Sequence, residues 1–340
     1  MSGMRIAVVG AGQFGRKHMD NIRREPLAEL VAVADPVLKE KLDVPCFADV
    51  REMLDAVKPE AVIVATPNQR HVSVGLACIE RGVPLLVEKP IADTVEQSLK
   101  LTQAAERARV PLLVGHHRRH NPLVEKAREI VQGGGIGRLV AVAALWLLQK
   151  PDDYFNVAWR REAGGGPLLI NVIHDIDDLR YICGEIQEVR AMTSSATRKF
   201  DVEDTAAVTL RFASGALGTV TVSDAVAAPW SWELASGEAA AYPPRQQEPC
   251  YFFSGTQGSL TLPEMDLWSY QGEKTGWYAP LTRERIAVQG EDPQVRQLRH
   301  FIRVARGEEA PRITGADATR TLAAVLAIGE AALTGKAVVL

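Results

Sequence analysis

No apolar run in the chain approaches the roughly 20 residues of a membrane helix. The longest candidates, such as Leu139 to Leu148, read as strands. Met4 already opens a strand, which leaves no room for a signal peptide, so a cytoplasmic protein without membrane partners is expected. Cysteine is scarce: Cys46, Cys78, Cys183 and Cys250 lie far apart with no Cys-x-x-Cys. That excludes a disulfide framework and predicts reduced thiols. No histidine and cysteine spacing resembles a zinc site, so no metal is expected. Basic excess is absent too: 39 Lys and Arg stand against 42 Asp and Glu, a net charge of -3, which argues against nucleic acid as a partner. There is no internal repeat.

What is present is strand–helix alternation. The 340 residues exceed what one hydrophobic core of ~250–300 residues usually serves, so two domains are expected, 1–120 and 121–340. In the first, strands at Met4 to Val9, Leu30 to Ala34, Glu60 to Ala65, Leu85 to Val87 and Pro111 to Val114 are almost continuously apolar. Such strands belong to a sheet covered on both faces, and their alternation with helices predicts a doubly wound parallel sheet. Asn68 is placed to cap a helix from Gln69 to Arg81, and Thr94 one that runs to about Arg109.

After residue 120 the pattern changes. A helix from Pro122 to Gln132 is followed by strands at Arg138 to Leu148, Ile186 to Thr197, Ala206 to Phe212 and Ala216 to Ser223, with Ser214-Gly215 as a hairpin turn. Shorter strands follow at Tyr251 to Phe253, Ser259 to Leu262 and Asp266 to Ser269. The expectation is an α+β domain on a large open, mostly antiparallel sheet, one face of which meets another subunit. Helices at Pro293 to Arg306 and Gly315 to Leu333 close the chain, the second packing back on the first domain. Residues 237–247, flanked by Trp230, Trp232 and Tyr242, read either as a surface excursion with an aromatic staple or as a lid or subunit contact.

The chemistry begins at Gly10-Ala11-Gly12-Gln13-Phe14-Gly15. Gly10 permits a tight turn, Gly12 keeps no side chain between a diphosphate and the backbone, and Gly15 lets the helix lie close on the strand. The helix N-terminus then offers free N–H groups to the diphosphate. Asp35 stands at the end of the second strand, where a carboxylate accepts from both ribose hydroxyls and repels a 2′-phosphate. Pro36 and Val37 follow it and no arginine adjoins it, which points to NAD, with NADP as the alternative. A glycine turn used only for packing is the competing reading.

Lys89, in Glu88-Lys89-Pro90, follows a strand whose carboxyl end should face the ligand. Its ammonium can hydrogen-bond a substrate hydroxyl and stabilise the alkoxide. A surface lysine after a strand reads equally well. Gly164-Gly165-Gly166 leads through an apolar run to Asn171, His174, Asp175 and Asp177, before a helix from Asp177 to Cys183. Neutral imidazole can take a hydroxyl proton near neutral pH, and a neighbouring carboxylate can fix its tautomer. Helix-capping aspartates around a core histidine are the alternative.

The order of these elements, with Val114-Gly115-His116-His117-Arg118-Arg119-His120-Asn121-Pro122 between them, resembles the Gfo/Idh/MocA oxidoreductases, which include inositol dehydrogenases, glucose–fructose oxidoreductase and dihydrodiol dehydrogenases. The resemblance implies a Rossmann domain, a second domain on an open sheet, assembly as a homodimer or homotetramer through that sheet, and hydride exchange between NAD(P) and a hydroxyl or ketone of a sugar, cyclitol or related ring. It implies Lys89 and His174 as catalytic, and Pro90 as a proline that is often cis. Expected around the dinucleotide are Gly10, Gly12, Gln13, Phe14, Gly15, Asp35, Thr66, Pro67, Asn68, His71, Glu88 and Lys89. Many members carry an aspartate four residues before the histidine; here that residue is Ile170, next to Asn171. Asn171, Asp175 and Asp177 are therefore the candidates to orient His174 or substrate. Arg118, Arg119, Lys150, Arg160 and Arg161, with His116, His117 and Trp159, read as a solvated basic rim, or alternatively Arg118, Trp159 and Arg160 contact an anionic or highly hydroxylated substrate. Two other functions fit: an enzyme that holds and recycles its NAD, and an NAD-binding regulator without activity.

Overall fold

The computed structural model describes residues 3–162, 164–238, 242–243, 245–270, 272 and 274–340. The chain divides into two compact units: 1–120 with 291–322, and 121–290 with 323–340.

In the first unit the elements are β1 (Met4–Val9), α1 (Gln13–Arg24), β2 (Ala28–Ala34), β3 (Cys46–Phe47), α2 (Val50–Val57), β4 (Ala61–Val64), α3 (Asn68–Ile79), β5 (Leu85–Val87), α4 (Val95–Ala108) and β6 (Leu112–Val114). The strands form a six-stranded sheet in the order β3-β2-β1-β4-β5-β6, and every pairing is parallel. The reversal of strand order at β1 and β4 opens a crevice beyond their carboxyl ends, the usual ligand position in such sheets. Thr94 caps α4 as expected, accepting from the Gln97 N–H at 3.2 Å. Asn68 does not cap α3: the helix starts at Asn68 itself, and the N-cap is Pro67, which has no side-chain donor or acceptor.

The second unit carries α5 (Pro122–Gln132), β7 (Leu139–Leu147), α6 (Ile173–Cys183), β8 (Ile186–Ser194), β9 (Thr205–Phe212), β10 (Leu217–Ser223), α7 (Trp232–Ala235), β11 (Tyr251–Gly255), β12 (Gly258–Leu262), β13 (Asp266–Tyr270) and β14 (Leu281–Arg285). The chain ends with α8 (Pro293–Ala305), α9 (Gly315–Thr334) and β15 (Val338–Val339). Nine strands form one sheet, β14-β13-β12-β11-β7-β10-β9-β8-β15. It is antiparallel except where β7 runs parallel to β10. That pair joins strands separated by α6 and the β8–β9 hairpin, a crossover that no local pattern announces. One face is apolar: Ala206, Val208, Leu210 and Phe212 of β9 and Val220 and Val222 of β10 share a core with Ile173, Ile176, Leu179 and Ile182 of α6. On β9 the intervening Ala207, Thr209 and Arg211 are exposed, giving the period-two alternation of a half-buried sheet.

Helix α9 belongs to the first unit as far as Leu322 and to the second from Ala323. In the first unit its Thr319 hydroxyl lies 2.6 Å from that of Ser98 on α4. Among the described residues no helix is long and apolar enough to cross a membrane, and all four cysteines are free thiols.

Candidate functional site

The three glycines of the turn stand in three different settings. Gly10 has φ +97°, and a Cβ there would stand 2.4 Å from the Ala65 carbonyl oxygen. A Cβ on Gly15 would stand 1.9 Å from the Gly10 carbonyl oxygen, so this glycine brings α1 against the turn. Gly12 differs. Its φ of −69° suits any residue, and nothing lies within 4 Å of the place its Cβ would take. Neither conformation nor packing calls for glycine there, and the open space is what a diphosphate needs to approach the backbone. No side chain caps the first turn of α1 and no acid lies in it, so its N–H groups stay available to an anion.

Asp35 is tied into this cradle. Its Oδ2 accepts from the Ala11 N–H at 2.7 Å and its Oδ1 from the Val37 N–H at 2.9 Å. The nearby Arg16 is paired with Glu40. Beyond β4, the Thr66 hydroxyl oxygen is buried without a partner among the described residues. His71 is sequestered: its ring nitrogens lie 2.8 Å from the carbonyl oxygens of Pro90 and Thr66, which clamps the loops after β4 and β5 together. Burial lowers its pKa, against the raising effect of those carbonyls. Glu88, Lys89 and Pro90 form the loop at the carboxyl end of β5, and the Lys89–Pro90 peptide is cis. Buried Glu88 lies 2.7 Å from His18 of α1, a residue no sequence signal marked. Taken together, the open cradle at Gly12, the anchored carboxylate and the spare Thr66 hydroxyl fit a nicotinamide dinucleotide.

In the second unit, residues 168–172 form a π-turn, Leu168–Val172, that runs straight into α6. The helix expected from Asp177 thus begins at Ile173, and His174, Asp175 and Asp177 lie inside it rather than capping it. Wide turns of this kind recur at functional sites. The turn is anchored by Glu203, whose carboxylate accepts from the Leu168 N–H at 3.1 Å. A Cβ on Gly165 would stand 2.1 Å from the Trp159 carbonyl oxygen, so the glycine triplet brings the 158–161 segment against the turn. His174 is 7% exposed. Asp177 and Asp178 follow it at three and four residues, one helical turn away on its face. Asp175 points elsewhere, accepting a hydrogen bond from the Tyr251 hydroxyl on β11. The Asn171 side-chain oxygen is buried and has no partner among the described residues.

Arg118, Arg119 and Lys150 of the basic cluster are buried and so are not part of a solvated rim. Arg118 and Arg119 are buried in the first unit, Arg119 paired with Asp317 of α9. Lys150, in the second unit, is buried 3.5 Å from Asp224, its ammonium 4.7 Å from the ring centre of Tyr154. Burial lowers its pKa, opposed by Asp224. Arg160 stacks on Tyr154 at 4.0 Å and donates to its carbonyl oxygen at 2.7 Å. Trp159 is half exposed and Arg161 exposed. In the 237–247 segment, Ala239, Ala240, Ala241 and Pro244 lie outside the described residues. Its described ends are anchored: Glu238 accepts from the Trp232 indole N–H at 2.8 Å and from Asn121 at 2.9 Å, and Arg245 pairs with Glu264 at 2.7 Å. Trp232 is a core residue rather than a flank of a loop. Among the described residues no group of three or more His, Cys, Asp or Glu is disposed to hold a metal ion.

Similarity to known proteins follows the same lines. The chain is 28% identical to myo-inositol 2-dehydrogenase of Thermotoga maritima over 335 residues, 94% of this chain and 93% of that protein. It is 31% identical to the rhizopine catabolism protein MocA of Rhizobium meliloti over 204 residues, 58% of this chain and 63% of that protein, just under two thirds of its length. The fold matches the crystal structure of an oxidoreductase from Agrobacterium radiobacter in complex with NAD+, L-tartaric acid and magnesium, with a TM-score of 0.81 at 21% identity, covering 99% of this chain and 98% of that one. Residues 4–116 match the model of the oxidoreductase family with an NAD-binding Rossmann fold, and residues 124–261 match the GFO/IDH/MocA C-terminal domain. The chain belongs to the Gfo/Idh/MocA family of NAD-binding oxidoreductases.

Proposed function

We propose that this chain is an NAD-dependent dehydrogenase that exchanges hydride with a hydroxyl-bearing ring carbon of a sugar or cyclitol, with Lys89 and His174 handling the proton. The observation that carries this reading is the Glu88-Lys89-Pro90 loop at the carboxyl end of β5, joined through the Glu88–His18 contact to the helix of the dinucleotide cradle. A cyclitol is the substrate named for the inositol dehydrogenase relative.

The nicotinamide ring supplies the hydride chemistry when bound. The Lys89 ammonium binds the substrate oxygen and stabilises it as negative charge develops. His174 takes the hydroxyl proton during oxidation and returns it during reduction. Ile170 can do neither, so the carboxylate nearest in role is Asp177 or Asp178, one turn along α6. Asn171 donates or accepts at a neighbouring ring hydroxyl. Asp35 supports NAD in this reading, because a carboxylate at the end of β2 repels a 2′-phosphate, and Arg16 is paired with Glu40.

The sheet face away from the α6 core forms a shallow trough of about 570 Å³ lined by Ala141, Ala143, Thr209, Leu217, Thr219 and Phe252, and a second copy of the chain covers it in this reading. Sedimentation of Thr219→Arg against wild type checks that point.

The decisive assay follows reduced-nicotinamide absorbance with NAD and NADP separately over cyclitols, sugars and cyclic diols. Lys89→Ala should lower turnover on the best substrate by ~10²-fold or more with cofactor affinity little changed. Near wild-type turnover in this variant would overturn the assignment.

A further inference from the structure

His18 lies on the inner side of α1 and is 5% exposed. Its Nε2 is 2.7 Å from Oε1 of Glu88, itself 8% exposed. The other oxygen of Glu88 accepts from the main-chain N–H of Lys89 at 3.2 Å. The residue that follows β6 leaves room for this: a Cβ on Gly115 would stand 3.0 Å from that same oxygen. Glu88 is also fixed through its backbone, its N–H donating to the Val64 carbonyl at 2.9 Å. Burial by itself pushes the Glu88 carboxyl up. The His18 hydrogen bond, with the charges of His18, His117 and Lys89, outweighs it and brings the pKa down to about 2. A buried anion is expensive unless its oxygens are bonded. Here one oxygen is held by the helix that carries the glycine turn and the other by the residue proposed to bind substrate.

We propose that His18 is a positioning residue for Lys89: by fixing one oxygen of Glu88 it aims the other at the Lys89 main chain and keeps a fixed anion beside the lysine. The inference rests on the reading of Lys89 given above. Charge and aim reach the lysine together. The N–H contact sets the backbone from which the lysine side chain departs, and the carboxylate favours its ammonium form. Small displacements of such a group are costly to rate, because the reacting atoms must meet within tenths of an ångström.

Three variants test this. His18→Leu removes the donor, His18→Gln carries an amide nitrogen at the reach of Nε2, and Glu88→Gln keeps the shape while removing the charge. His18→Leu should lower kcat roughly 10- to 100-fold, with NADH affinity and substrate KM changing far less. His18→Gln should recover most of that loss. In a Lys89→Ala background, His18→Leu should add almost nothing, since residues acting as one unit are not additive. A readout free of cofactor and turnover is acylation of the Lys89 amine in the isolated protein, followed by mass spectrometry at fixed pH. Glu88→Gln should label faster, because an ammonium that loses a nearby carboxylate gives up its proton more readily. In His18→Leu burial, no longer offset by the His18 hydrogen bond, pushes the Glu88 carboxyl towards its neutral form, so it should label faster as well, and His18→Gln should match wild type. An undiminished His18→Leu effect in the Lys89→Ala background, or unchanged labelling in Glu88→Gln, overturns the inference. Wild-type turnover in Lys89→Ala instead removes the role of Lys89, and the labelling experiment then judges the His18–Glu88–Lys89 link on its own. Should His18→Leu not fold, Glu88→Gln decides through the same labelling measurement.

Discussion

Replacing Gly12 by alanine should separate cofactor binding from folding. Because Gly12 has φ −69° and open space where a Cβ would go, alanine fits the free protein. The smaller entropy of the unfolded chain favours alanine by ~0.4–1 kcal/mol, and its poorer fit at the N-cap of α1 costs about as much, so the two offset. At roughly 2–4 °C per kcal/mol for a unit of this size, the thermal midpoint should stay within about 2–4 °C of wild type. The bound state is different: the methyl occupies the path by which a diphosphate reaches the backbone N–H groups. Losing one hydrogen bond to a charged group is worth ~1.5–3 kcal/mol, a loss of roughly 10- to 150-fold in affinity. Gly15→Ala is the contrasting control. Its Cβ would meet the Gly10 carbonyl oxygen at 1.9 Å, so overpacking should cost ~1–3 kcal/mol or more in the protein without ligand. Fluorescence titration with NADH and a thermal melt on the two variants suffice. Wild-type NADH affinity in Gly12→Ala would refute the placement of the diphosphate, whatever the melt shows.

Three further outcomes are expected. His120 and His300 form a buried pair in which the His300 Nε2–H donates to the Ala310 carbonyl at 3.1 Å, leaving its Nδ1 to accept from the His120 Nε2–H at 2.8 Å. Burial, with Arg312, His300 and Arg296, lowers the His120 pKa well below the usual range, and burial lowers that of His300 despite the Ala310 carbonyl. The unfolded chain therefore takes up protons below about pH 6.5 that the folded one refuses, and stability should fall with pH there by up to ~2.7 kcal/mol per unit; a urea midpoint unchanged between pH 7.5 and 5 would contradict this. Asp35→Ser should raise the NADH dissociation constant ~10-fold or more and improve binding of NADPH, read by the same titration; an unchanged preference between the two would rule out the Asp35 role. Tyr251→Phe removes a donor from buried Asp175 and should cost ~1–3 kcal/mol in denaturant unfolding while sparing NADH affinity, and a neutral result would show that the contact carries no stability.

How far a residue could be read from sequence depended on the range of the interaction that defines it. The glycine turn, Asp35 and the Thr94 cap are local: each needs only a backbone conformation or a neighbour a few residues away. Asn68 was misread for the same reason in reverse, since its cap geometry hung on where Pro67 started the helix. The start of α6 was missed because a π-turn leaves no periodic signature, and that turn moves His174 from before a helix to inside one. The basic residues looked solvated because sequence shows charge but not burial, and Arg119 finds Asp317 only through the fold.

By itself the sequence determined the parallel sheet of the first unit, the glycine turn and the place of the acid at the end of β2, because apolar strands, glycine steric limits and chain order are short-range physics. It also determined that the second unit would rest on a large open sheet, through its succession of strand-like segments. Only the tertiary structure decided that β7 lies parallel to β10, that Asp175 answers to Tyr251, and that Glu88 is held by His18. Those contacts join residues 76 and 70 positions apart in the last two cases. Closing loops of that length is decided by the packing of whole elements, which no single stretch of chain encodes.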